Sequence, residues 1–142
     1  MHQGTPIPAL SQSFAARARD DVADLIHRQA PRTSGRVIDD ALLVVSELVT
    51  NAVRHGGGIA AFAPIIRGNR LVLHVADHSE QQPVSPDRTP EWPAEGGYGW
   101  SIVRNLADSV NVSRRPQGGK DICVALSLLG HGGTKAAEMS GL

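Results

Sequence analysis

The chain is short of several things, and each shortage removes a class of function. Among 142 residues there is one cysteine, Cys123. It has no partner for an internal disulfide, so a disulfide scaffold is excluded. No apolar run approaches the ~18 residues that a membrane-spanning helix requires. There is no excess charge: Lys+Arg and Asp+Glu stand at 14 each. A neutral chain lacks the broad basic field used to hold nucleic acid or an anionic membrane, so neither is expected as a partner. The opening "MHQGTPIPALSQS" has no basic start followed by an apolar block. The expectation is therefore no signal peptide and a cytoplasmic location. No internal repeat appears. The six histidines show no metal-binding spacing of the C-x-x-C or H-E-x-x-H kind. His74 reads as a packed or solvated strand residue, and Cys123 in "DICVAL" as a small buried hydrophobe.

What is present suits one folded domain, since domains run ~100–200 residues. Residues 1–12 read as a flexible tail. "FAARARDDVADLIHRQA" has helical spacing through Phe14, Ala18, Val22, Leu25 and Ile26, and Pro31 stops it. Thr33 or Ser34 caps a second helix, whose stripe runs Ile38, Leu42, Val45, Val49, Ala52 and which Gly56, Gly57 and Gly58 end. "IAAFAPIIRG" and "RLVLHVADHS" read as two strands joined near Gly68-Asn69. A proline-rich loop from Gln81 to Gly97 leads to a third helix, "GWSIVRNLADS". Two further strands, "VNVSRR" and "KDICVALSLL", are joined by "PQGG". Short links between adjacent strands favour antiparallel pairing. The expected fold class is an α/β (α+β) two-layer sandwich, a mostly antiparallel sheet covered on one face by about three helices. Residues 13–129 form the domain and residues 130–142 a second flexible tail.

Four stretches carry chemistry. In "ELVTNAVRHGGG", Glu47 and Asn51 lie one above the other on one helical face. The plain reading is the wet side of an amphipathic helix, on a face roughly opposite the apolar stripe. The surrounding Leu42, Leu43, Val44, Val45, Leu48 and Val49 argue instead for a helix covered on more than one side. An amide oxygen beside a carboxylate suits Mg²⁺, and the carboxylate suits a general base. Asp77 ends an apolar strand in "VADHSEQQP". It is either a turn-forming cap or an acceptor at the mouth of an apolar pocket, able to take a hydrogen bond from a base's amino group. Gly96, Gly97 and Gly99 in "GGYGWSIVRNLAD" lie just before a helix, where backbone N–H groups favour anions. They are not a Walker loop, because no G-K-[ST] follows. Gly118 and Gly119 in "PQGGKDICVAL" read as a hairpin turn, and Lys120 as a surface charge or a phosphate contact.

In order and spacing these stretches resemble the GHKL ATPase superfamily, the Bergerat ATP-binding fold of gyrases and histidine kinases. More closely, they resemble the bacterial anti-sigma-factor serine kinases and their actinobacterial ATP-binding relatives. "SELVTNAVRHG" is similar to the N box, "VADHSEQQP" to the first glycine box, "GGYGWSIVRNLAD" to the second, and "GGKDICVAL" to the closing element. The resemblance covers about residues 13 to 129. It implies ATP and Mg²⁺ as cofactors, with Asn51 as the metal and phosphate ligand, Glu47 as the catalytic base and Asp77 on the adenine amino group. Gly97 and Gly99 would wrap the phosphates, and His55 and Gly56 would line the rim. Ser79, Tyr98, Trp100, Ser101 and Lys120 fall within the same boxes and count as nucleotide-binding positions. The implied partners are a sigma factor and a small anti-anti-sigma (STAS) protein phosphorylated on serine, with a homodimer the common assembly. The alternative is a binding module that sequesters a partner without phosphotransfer. The chain departs from the family pattern at two places. Asp77-His78-Ser79 stands where the superfamily has Asp-x-Gly, and Lys120 where many members have threonine.

Overall fold

In the computed structural model of the chain, the structure describes residues 6–55, 57–79 and 95–129. Element order is α1 (Pro6–Gln29), α2 (Gly35–His55), β1 (Ile59–Arg67), β2 (Arg70–Asp77), α3 (Glu95–Leu106), β3 (Ser109–Arg114) and β4 (Lys120–Ser127). The four strands form one sheet in the order β1-β2-β4-β3, and every neighbouring pair is antiparallel. The helices cover one face. This is the two-layer sandwich the sequence predicts.

Two boundaries differ from expectation for identifiable reasons. The first helix begins at Pro6, not near Phe14, so residues 6–12 belong to α1 rather than to a tail. Pro6 and Pro8 read as breakers in sequence. In the first turn of a helix, however, backbone N–H groups have no intrahelical acceptor, and proline's missing donor loses nothing. The third helix begins at Glu95, so Gly96, Gly97 and Gly99 lie inside its first turns rather than before it. Residues 80–94, most of the expected loop, and the expected tail 130–142 fall outside the described residues.

The other signals are met. Ser34 caps α2, its Oγ accepting the Val37 N–H at 3.2 Å. Gly57, at φ 73°, ends it, and the Gly58 N–H returns to the Ala52 carbonyl at 3.0 Å. Gly68, at φ 59°, turns β1 into β2. Pro64 lies on β1, an edge strand, where a lost ladder donor is tolerated.

The core lies between the layers. Leu71, Leu73 and Val75 of β2 and Ile122, Val124 and Leu126 of β4 point to the helices and are fully buried. They meet Val22 and Ile26 of α1, Val44, Val45, Leu48 and Val49 of α2, and Trp100 and Val103 of α3. Phe14 packs edge-on against Phe62, ring centroids 6.4 Å apart. On the sheet's other face His74 is exposed, with Nε2 3.9 Å from Cys123 Sγ. Cys123 is half-buried there, not the core residue expected.

Helix α2 is turned from its expected setting. Its fully buried positions are Ala41, Val44, Val45, Leu48, Val49 and Ala52, whereas Ile38 and Leu42 are only half-buried. At about 100° per residue this moves the buried stripe toward Glu47 and Asn51. These two therefore border the apolar face rather than oppose it, because α1, α3 and the sheet all contact this helix.

Candidate functional site

The site gathers at one end of the sandwich, where three chain segments come together. Asn51 is only 8% exposed, one turn beyond the half-buried Glu47. Gly57 and Gly58, just past α2, lie against His78; Cβ atoms added there would sit 3.5 and 3.7 Å from its side chain. That contact joins the end of α2 to the end of β2. The β2–β4 register then sets Asp77 opposite Lys120.

Helix α3 closes over Glu47. A Cβ on Gly99 would collide with Glu47 Oε1 and come within 3.2 Å of Cδ. The missing side chain at residue 99 is therefore what lets the carboxylate lie in the seam between α2 and α3. Burial in this seam raises the Glu47 carboxyl above the usual carboxylate range, and the Arg54 guanidinium, two turns along the same face, partly opposes the rise. A half-buried carboxylate with raised proton affinity is what a general base needs. Gly96 and Gly97 occupy the first turn of α3, where N–H groups unpaired within the helix attract anions.

Asp77 is buried rather than in contact with water. It is 1% exposed, and Lys120 is 4% exposed. Lys120 Nζ stands 2.9 Å from Asp77 Oδ2 and donates to the Ser79 carbonyl at 3.3 Å. The Ser79 N–H donates to Asp77 Oδ1 at 3.0 Å, an Asx turn. The contact at Oδ2 is an ion pair between two buried groups. Lys120 is thus not an exposed surface charge; it is buried against Asp77. Ser79 acts here through its backbone.

Gly119 does more than turn a hairpin. At φ 88° a Cβ there would collide with the Asp77 carbonyl oxygen and lie 3.1 Å from His78 Cα. Gly118, at φ 102°, has open space around it and serves the turn alone. Sequence reasoning missed Gly119 and Arg54. The glycine doublet before a strand, and an arginine seven residues after Glu47 on the same helical face, are the signals that mark them.

Of the remaining expected positions, Trp100 is buried in the core beneath α3, and Ser101 is half-buried beside it. The His55, Gly97 and Tyr98 side positions and all of Gly56 lie outside the described residues, although His55, Gly97 and Tyr98 are helical in backbone. Among the described residues no group of three or more His, Cys, Asp or Glu is placed to hold a metal ion. A magnesium ion here would rest on the Asn51 amide oxygen together with oxygens brought by the nucleotide, a donor set this ion accepts. Among the described residues no helix is long and apolar enough to cross a membrane.

The sequence matches a known family over most of its length. Residues 7–126 match the histidine kinase-like ATPase domain family. The anti-sigma F factor of Anoxybacillus flavithermus is 31% identical over 115 residues, covering 73% of this chain and 77% of its own. That of Clostridium acetobutylicum is 30% identical over 96 residues, 60% and 67% of the two chains. A histidine kinase domain from a blue-light activated kinase of Erythrobacter litoralis superposes with a TM-score of 0.49 at 16% identity, over 87% of this chain. The chain spans 62% of that structure's length. The chain belongs to the histidine kinase-like ATPase (GHKL) family and, within it, resembles the anti-sigma F factors.

Proposed function

We propose that the chain is a Mg²⁺·ATP-dependent serine/threonine protein kinase of the anti-sigma type. It phosphorylates a STAS anti-anti-sigma protein and, by exchanging partners, controls a sigma factor in the cytoplasm. The observation that carries this reading is the Glu47 carboxylate, held half-buried beside Asn51 and against Gly99 of α3. On this reading a base, a hard oxygen ligand and a helix N-terminus surround one space. The serine hydroxyl oxygen bonds to the γ-phosphorus while the bond to the β–γ bridging oxygen breaks and ADP departs. The hydroxyl proton passes to Glu47. Positioning and charge compensation carry most of the acceleration in such a transfer. Asn51 would hold a magnesium ion, which would supply the charge compensation. The first turn of α3 orients the phosphates. A homodimer is the assembly in keeping with the anti-sigma likeness.

A second reading is a nucleotide-binding or degenerate module that sequesters its partner without transfer. The Asp77–Lys120 pair favours it, since an internal cation sits on the carboxylate expected to bind the base. Incubation with γ-labelled ATP and a STAS protein separates the two. The kinase reading expects label on a serine or threonine of the STAS protein, lost in Glu47→Gln. Saturable ATP binding with no label transferred to any STAS substrate would select the module.

A further inference from the structure

Asp77 and Lys120 face each other across the β2–β4 ladder and are buried together. Lys120 Nζ stands 2.9 Å from Asp77 Oδ2, the separation of a cationic nitrogen and a carboxylate oxygen in full contact. Each charge meets its opposite, so the pair is complete within the protein. It is also held from several sides. Nζ donates to the Ser79 carbonyl at 3.3 Å, and the Ser79 N–H donates to Asp77 Oδ1 at 3.0 Å. Gly119 lies so close to the Asp77 carbonyl that a Cβ there would collide with it. The chain entering β4 is thereby pressed against the chain leaving β2, and the carboxylate on which the nucleotide reading would set the base already has a cation on it.

Resting on that reading, we propose that Lys120 is an internal occupant of the base subsite. Its ammonium takes the place on Asp77 that an adenine amino group would take, so the chain draws its nucleotide affinity from the phosphates and Mg²⁺ and not from the base. A base could reach Asp77 only by displacing Lys120. Displacement would leave an ammonium buried without its counter-charge, a loss that one contact between a neutral amino group and a carboxylate does not recover. The side chain at position 120 therefore decides whether Asp77 reads the base. With lysine the carboxylate is closed. With a small neutral side chain it would be a buried carboxylate lacking a cation, and an adenine amino group would be the donor that compensates it.

The test is calorimetric titration of the full chain with ATP and with inorganic tripolyphosphate, each with Mg²⁺. The parent is expected to bind the two within about tenfold of one another, because no hydrogen bond to a charged group adds to the affinity for ATP. Lys120→Thr opens Asp77 and should strengthen ATP by roughly 10- to 100-fold relative to tripolyphosphate, the worth of such a bond. If the threonine variant fails to fold, the parental ratio still decides. A parent that prefers ATP by more than about tenfold, or a ratio that Lys120→Thr leaves unmoved or lowers, overturns this proposal and leaves the nucleotide site standing. Failure of the parent to bind either ligand overturns the site and this proposal together.

Discussion

Replacing one glycine by alanine should have opposite consequences at two positions of this site. At Gly119 the backbone is in the left-handed region, φ 88°, and the new methyl meets the Asp77 carbonyl oxygen. A left-handed alanine costs about 1–2 kcal/mol. Forcing a methyl against fixed backbone adds about 1–3 kcal/mol. The expected loss for Gly119→Ala is therefore about 2–5 kcal/mol, or roughly 6–20 °C in Tm for a domain of this size. At Gly99 the backbone is helical, and the methyl meets the tip of the Glu47 side chain, which can rotate aside. Alanine gains up to about 1 kcal/mol of helix propensity there, so Gly99→Ala should stay within about 1 kcal/mol of the parent. It should nevertheless lower phosphotransfer by about 100-fold, because the base is displaced by roughly 1 Å. Urea unfolding measures the first effect, and transfer of label from ATP to a STAS substrate the second. Equal destabilisation by the two substitutions would refute the reasoning, as would a parental transfer rate in Gly99→Ala.

Two other substitutions report on the remaining groups. Glu47→Gln should keep ATP binding and abolish transfer, and it should also change the pH dependence of stability. The native carboxyl binds its proton more tightly than the unfolded one, so in the window between the two values the parent loses stability as pH rises. The glutamine variant escapes that loss. It should be the more stable protein at neutral pH, with the advantage vanishing below the usual carboxylate range, as denaturant midpoints at pH 7.5 and pH 4 will show. Asn51→Ala should weaken ATP in the presence of Mg²⁺ and leave affinity nearly indifferent to EDTA, which a titration with and without chelator reads directly.

The parts of this site legible in sequence are those fixed by local spacing. Glu47 and Asn51 share a face because they are four residues apart on a helix, and the strand pattern of Leu71, Leu73 and Val75 is visible by alternation. The parts that were misread depend on the third dimension. Lys120 reads as solvent-facing because nothing local shows that β4 will pair beside β2 and bring it to Asp77, 43 positions earlier. Gly119 looks like a turn residue until the chain leaving β2 is seen against it. The setting of α2 follows from three neighbours packing on it at once, which a single stripe of apolar residues understates. Pro6 and Pro8 mislead because the meaning of proline depends on its place in the helix.

Calorimetric titration with ATP, with and without Mg²⁺, bears most directly on the account. Saturable binding of about one nucleotide per chain, strengthened by Mg²⁺ and weakened in Asn51→Ala, is the expected result. Absence of binding by the folded protein under both conditions would contradict it.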